Sequence, residues 1–345
     1  MTRNRTEEFA GIIDSDSTTP FLRSAWQHFN GHENDAKDFA QHTIDFVEKW
    51  DWDWIKINPR ATYFAEVWGA QFLPNDYGDV PVQKQLKAAI EKPADVASIT
   101  AKTIAESDIL QEHVEGARLI KAHFPDRVTI QTMFSPLSTL LQLAGLPLYP
   151  NMVVYGSETT FTRKELILEQ PEEAKKALQA ITDTFIDYLD ALVAAPEDGG
   201  AGLDGLFYAV TGTASDGYFS EEEFKEFSTP YDLQILEKLK EYGKISVLHT
   251  CQKNSHPQWF TSYPISALQW DQFLPDNPEI TEDMGITPVG GVNYSLLGDN
   301  QHLDEVGEQL SETFKSRAGK PFLLAPSCTI PTPASDSALT LLQEA

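Results

Sequence analysis

Eight short apolar runs, separated by stretches long enough for helices, set the limits on what this chain can fold into. They lie at 21–26, 54–58, 128–134, 205–210, 245–251, 267–270, 288–292 and 322–327. Each has the length of a strand, and several are rich in Val, Ile, Leu and Phe on both parities, as strands covered on both faces are. Helical patterns fall between them, at about 35–49, 96–122, 172–194, 221–242 and 304–317. Ser220 ahead of Glu221-Glu222-Glu223 supplies an N-cap and an acidic first turn. Strands alternating with helices build a parallel sheet. Eight strands within 345 residues predict an α/β fold, a (β/α)8 TIM barrel, with residues 1–345 as a single domain. Chemistry in such a barrel gathers at the C-terminal ends of the strands. No Gly-x-Gly-x-x-Gly and no Walker loop follows a strand, so an open nucleotide-binding sheet lacks its signature. The loop-like stretches 69–81 and 195–202 are too short to be interdomain linkers.

The only two cysteines fall at such strand ends. Cys251 closes the fifth run as His249-Thr250-Cys251, and Cys328 follows the eighth. On a strand, positions 249 and 251 share a face. Cys328 lies 77 residues further on, about two strand–helix units, so the curvature of a barrel would return it to the same rim. One His and two Cys are zinc ligands by type, and three ligands leave a tetrahedral ion one open position, the catalytic arrangement. A cation there lowers the pKa of a substrate thiol. The pattern therefore points to an enzyme that activates a small-molecule thiol on zinc. The same residues also read as packing, since a strand-end cysteine is often a buried hydrophobe and a histidine beside it a satisfied core residue.

Other candidates surround this rim. Asp271, after the sixth run, reads as a fourth ligand, or else as a loop carboxylate or N-cap. His256 falls further into the loop and reads as a weaker ligand. His28, after the first run, reads as an acid–base residue. Lys56, Asn58 and Arg60, at the end of the second run, read as contacts for an anionic substrate group. Gln131 and Tyr208 are expected to face inward from their strands; barrel packing is the alternative for each.

The charge excludes some partners. Lys and Arg number 26 against 52 Asp and Glu, a net charge of −26. Such a chain repels phosphate backbones and anionic membrane surfaces, so neither nucleic acid nor membrane is expected. No apolar run reaches the length of a membrane span, and the first residues do not resemble a secretory signal. Two distant cysteines suit free thiols in a reducing compartment, and a cytoplasmic location is expected.

Four segments carry a resemblance to the uroporphyrinogen decarboxylase superfamily over nearly the whole chain. They are Asp51-Trp52-Asp53-Trp54-Ile55-Lys56-Ile57-Asn58-Pro59; the strand and turn from Val128 to Ser138; Asp204-Gly205-Leu206-Phe207-Tyr208 with Phe224 and Pro230-Tyr231; and Phe322 to Cys328 with Pro331-Thr332-Pro333. Within the superfamily, His249-x-Cys251 with Cys328 is similar to the ligand motif of the zinc-dependent methyltransferases, which move a methyl group from a corrinoid protein to coenzyme M; an epoxyalkane:coenzyme M transferase branch shares it. The resemblance implies a (β/α)8 barrel, zinc, a small-molecule thiol substrate and a corrinoid protein as possible methyl donor. It also implies that a carboxylate near Asp271 holds zinc before the thiol arrives. No Asp-x-His-x-x-Gly motif is present, so a corrinoid would arrive on a partner. The metal-free carboxy-lyases of the superfamily are the alternative. Their motifs fit less well: Arg23 matches the first of two N-terminal arginines but Gln27 stands at the second, Asn58-Pro59-Arg60 stands where an Asp is expected, and Cys328 stands for a His.

Overall fold

The computed structural model describes residues 4–78 and 81–345. The strands are β1 (Phe21–Arg23), β2 (Ile55–Ile57), β3 (Gln71–Tyr77), β4 (Gln83–Lys87), β5 (Thr129–Phe134), β6 (Gly205–Thr211), β7 (Ile245–Thr250), β8 (Ala267–Gln269), β9 (Thr287–Val292) and β10 (Phe322–Pro326). Eight of them form one parallel sheet in the order β1-β10-β9-β8-β7-β6-β5-β2, while β3 and β4 pair as an antiparallel hairpin. The helices are α1 (Arg5–Ile13), α2 (Ala36–Trp50), α3 (Tyr63–Glu66), α4 (Asp108–His123), α5 (Pro136–Leu143), α6 (Pro171–Val193), α7 (Glu221–Phe227), α8 (Thr229–Glu241), α9 (Leu303–Ser316) and α10 (Asp336–Glu344).

The sheet curls until its edge strands touch. Asp53 N–H donates to Arg23 O at 2.9 Å, Arg23 N–H to Asp53 Oδ2 at 2.9 Å, and Ser24 Oγ to Trp54 O at 2.7 Å. The architecture is an α/β, TIM-barrel-like fold. Side-chain parity explains the layers, because alternate residues of a strand point to opposite faces. Leu22, Ile130, Phe207, Val247, Val289 and Leu323 meet inside the curl in one buried cluster. Phe9 and Ile12 of α1 join that cluster, which plugs the end opposite the strand C-termini. The other parity faces the helices. In α2, Phe39, Ala40, Thr43, Ile44, Val47 and Trp50 form a buried stripe at three- and four-residue spacing. Asp35 caps this helix through Lys37 N–H and Asp38 N–H, both at 3.0 Å.

Several local expectations change. The helical pattern 221–242 divides into α7 and α8 around Ser228, with Pro230 in the first turn of α8, where a missing N–H is harmless. The pattern 96–122 becomes two short 3₁₀ turns, Pro93–Ser98 and Ile104–Glu106, followed by α4. The loop-like stretch 69–81 contributes β3 of the hairpin. No described helix is long and apolar enough to cross a membrane.

Candidate active site

β7 and β10 each end with a metal-ligand candidate at one rim. His249 occupies the penultimate position of β7, and Cys251 follows the strand with its N–H bonded to Thr211 O at 2.9 Å. Cys328 follows β10, next to Ser327, whose N–H donates to Val292 O at 2.9 Å. These bonds to the neighbouring strands β6 and β9 fix both ends. One ligand atom from each of His249, Cys251 and Cys328 lies within 4.8 Å of the others.

The donor set fits zinc. The two sulfurs are 4.0 Å apart, too far for a disulfide but near the roughly 3.8 Å separation that two 2.3 Å bonds at a tetrahedral angle would give. His249 is buried, and its Nδ1 has no hydrogen-bond partner. The hydrogen bond from Cys251 and then that from His249 hold Cys328 below the ordinary thiol range against its burial. The same sulfur pairing, with burial and the charge of Cys328 behind it, pushes Cys251 up. A dication would replace the shared proton and take both sulfurs as thiolates.

Asp271 is buried beside this set but falls outside the 4.8 Å group. Burial raises its pKa, while hydrogen bonds from Phe273 N–H and Ser327 oppose that rise. Tyr149 and Tyr294 complete the surroundings. Burial pushes Tyr149 well up and Tyr294 up to about 12, and negative charge on Cys251 and Cys328 adds to both shifts. His256 is elsewhere, stacked on Trp259 with ring centroids 4.4 Å apart.

A cavity of about 550 Å³ opens over the sulfurs, lined by His249, Cys251 and Cys328 and, among others, by His28, Lys56 and Asn58. The Lys56 ammonium sits 4.8 Å from the Trp26 ring centre and 4.3 Å from that of Phe207, and it donates to Asn58 Oδ1 at 2.6 Å. Burial pulls the Lys56 pKa down to about 7, against the pull of Cys328. His28 Nδ1 lies 2.8 Å from Oε1 of the buried Glu33. A carboxylate accepts, so Nδ1 donates and Nε2 is left to the cavity. Glu33 was not anticipated from sequence; its spacing of five from His28 matches no regular period.

Three expected substrate contacts are placed elsewhere. Arg60 is held by Glu66 and Glu112, with Nη1 2.6 Å from Glu112 Oε1 and Nη2 2.9 Å from Glu66 Oε2. Gln131 Nε2 donates to Tyr188 OH at 2.6 Å, and Tyr208 OH donates to Asp232 Oδ1 at 2.6 Å. Parity accounts for both of the latter. Thr132, Phe207 and Ala209 line the cavity, so their chain neighbours Gln131 and Tyr208 must face the helices. Tyr149 went unnoticed because it lies in an irregular segment, and Tyr294 because it opens a single 3₁₀ turn, Tyr294–Leu297, too short to carry a periodicity. A second His–Asp–His group, His32, Asp38 and His42, also has ligand atoms within 4.8 Å. Its imidazoles stack at 3.7 Å and both turn Nδ1 to the Asp38 carboxylate, at 3.0 and 3.1 Å.

Comparison with known proteins bears on the fold and the family. The chain is similar to a methyltransferase from Methanosarcina mazei, with a TM-score of 0.70 over 98% of this chain and 97% of that one, at 14% identity. A multifunctional pyruvate carboxylase from Rhizobium etli (TM-score 0.39, 7% identity, 94% of this chain and 24% of that one) and a β-L-arabinopyranosidase from Geobacillus stearothermophilus (TM-score 0.43, 14% identity, 94% and 75%) are too distant to bear on function. No curated protein sequence matches. The profile described as uroporphyrinogen decarboxylase matches residues 22–345, and the chain belongs to that family.

Proposed function

We propose that this chain is a zinc-dependent transferase that moves a methyl or other alkyl group onto the sulfur of a small-molecule thiol. One observation carries the reading: His249, Cys251 and Cys328, from strands far apart in sequence, bring their ligand atoms within 4.8 Å at the floor of a cavity. Zinc in that set would supply the positive charge that favours a substrate thiolate. The remaining roles belong to the protein. Lys56 pairs with an anionic group of the substrate, and the Trp26 and Phe207 rings beside it keep water away. Asn58 orients that ammonium. His28, aimed by Glu33, holds or moves a proton at Nε2. Asp271 is the reserve ligand for the fourth position.

Membership of the family and the likeness to a methyltransferase support methyl transfer in general. A methyl-corrinoid protein is the proposed donor. The two free thiols fit a reducing, cytoplasmic setting. Elemental analysis of the purified protein beside Cys328→Ser tests the reading: about one zinc per chain is expected in the first and little in the second. Thiol-dependent turnover then separates a transferase from a metal carrier. The family keeps a metal-free carboxy-lyase as the second reading, and a chain that binds no zinc under reducing conditions would favour it.

A further inference from the structure

We infer that Thr211 is a positioning residue: tethered by its hydroxyl in a left-handed backbone conformation, it fixes the backbone of Cys251 and so sets where that sulfur points. The inference rests on the transferase reading, in which Cys251 and Cys328 together hold the metal.

The backbone of Thr211 is the first observation. Its φ is +54°, in the left-handed region, where a β-branched residue is a genuine outlier. Glycine adopts that region freely, so this position keeps threonine against the local preference. The side chain is 1% exposed, and the residue lines the cavity over the sulfurs. Just before it the ladder between β6 and β7 slips: Ala209 pairs with His249, but Thr211 pairs with Thr250. β6 therefore carries one extra residue, a bulge of the kind that re-aims groups beside active sites. In the slipped register the Thr211 carbonyl accepts from Cys251 N–H at 2.9 Å.

A set of buried hydroxyls holds this conformation. Thr211 Oγ1 lies 2.9 Å from Ser138 Oγ, which lies 2.8 Å from Ser135 Oγ and donates to Val210 O at 3.1 Å. Ser135 N–H donates to Ala209 O at 2.9 Å. Ser135 caps α5 and Ser138 stands in its first turn, both fully buried, so the bulge is tied to a helix. Strain of this kind persists only where the surroundings over-determine it, and it gathers at functional sites. The other side of Cys251 is held as well. The buried Ser215 Oγ donates to Cys251 O at 2.7 Å, and Gln252 follows with φ +79°. With its N–H and its C=O both fixed, Cys251 has one direction for its Cα–Cβ bond, and its sulfur stands 4.0 Å from that of Cys328.

Three variants test this role. Thr211→Val keeps the branched shape and removes the tether; Thr211→Ser keeps the tether; Ser215→Ala removes the hydroxyl on the other side of Cys251. Zinc affinity is measured by chelator competition on protein shown to be folded by circular dichroism. It should fall about 10- to 100-fold in Thr211→Val and in Ser215→Ala, the usual effect of losing a group that orients a metal ligand, and stay near the parent in Thr211→Ser. Thr182→Val is the control. It removes a buried hydroxyl of α6 that donates to Leu178 O at 2.7 Å, and it should leave zinc affinity unchanged. A second readout needs no metal. Dibromobimane becomes fluorescent once it bridges two neighbouring thiols, and in chelator-treated protein it should bridge Cys251 and Cys328 more slowly in Thr211→Val and Ser215→Ala than in the parent or Thr211→Ser. Parent-like zinc affinity and bridging in both Thr211→Val and Ser215→Ala would overturn the inference alone, and so would equal losses in Thr211→Ser or Thr182→Val. A parent that binds no zinc, with bridging rates in the expected order, would sink the zinc reading alone.

Discussion

The β7–β10 side of the rim and the β2–β6 side differ in how their polar residues are employed. On the first, His249, Cys251 and Cys328 converge with one imidazole nitrogen unpaired and two sulfurs sharing a proton. On the second, most polar groups are already engaged: Arg60 with two carboxylates and Tyr208 with Asp232, while Gln131 donates to Tyr188 and leaves its buried Oε1 without a partner. Lys56 is the exception, since it lines the cavity and, among the described residues, its ammonium hydrogen-bonds to Asn58 alone. A buried polar side chain thus signals chemistry only when its bonding capacity is incomplete. Where it is complete, the group holds the fold.

The sharpest break of this contrast is loss of a sulfur. Cys251→Ser and Cys328→Ser should each drop zinc from about one per chain to a small fraction and take thiol transfer with it, while circular dichroism stays close to the parent and melting matches that of the chelator-treated parent. Arg60→Leu should do the reverse. It leaves Glu66 and Glu112 without their cation, both only partly exposed at 16% and 25%, and should cost about 3 kcal/mol in denaturant titration. Zinc content should be unchanged. A large fall in zinc for Arg60→Leu, or collapse of the fold in both cysteine variants, would erase the distinction between the two sides.

The same contrast explains what could be read in the sequence. The eight barrel strands showed themselves because each is a short apolar run set off by longer polar or amphipathic stretches. Half of the candidate ligand set was legible because His249 and Cys251 are two apart and so share a face whatever the register. Gln131 and Tyr208 failed for want of an anchor: a strand covered on both faces has no polar side, and a one-residue error reverses every side chain. α5 was missed because all eight of its residues, Pro136 to Leu143, are buried, which leaves no amphipathic period. The β3–β4 hairpin was missed because Pro74, Asn75 and Asp76 lie within β3 and much of the strand is exposed, so it reads as a turn.

Lys56 makes the next test smaller. Lys56→Met preserves the stem between Trp26 and Phe207 and removes the ammonium. For an anionic thiol such as mercaptoacetate, KM should rise roughly 10- to 100-fold, the value of a charge-assisted hydrogen bond, while a neutral thiol of similar size should be little affected. An equal rise for both thiols would mean that Lys56 acts through packing and belongs with the engaged groups of its side.

The finest test concerns Asp232, which receives hydrogen bonds from Tyr208 OH and Ser228 Oγ at 2.6 and 2.7 Å. Burial outweighs those bonds and pushes its pKa from 3.8 up to about 7. Between those values the folded chain keeps a proton that the unfolded chain has released. Unfolding then expels a proton, so this residue's contribution to stability falls as pH rises through that window and levels off above about 7. Its slope is no steeper than about 1.4 kcal/mol per pH unit. Asp232→Asn keeps an acceptor for Tyr208 but cannot titrate. Urea titrations of the two proteins from pH 5 to 7.5 should therefore show the parent losing stability relative to the variant as pH rises. Parallel curves would mean that Asp232 is already ionised at pH 5, its two hydrogen bonds outweighing burial, and that the helix-facing side of β6 carries a buried charge rather than a neutral acid.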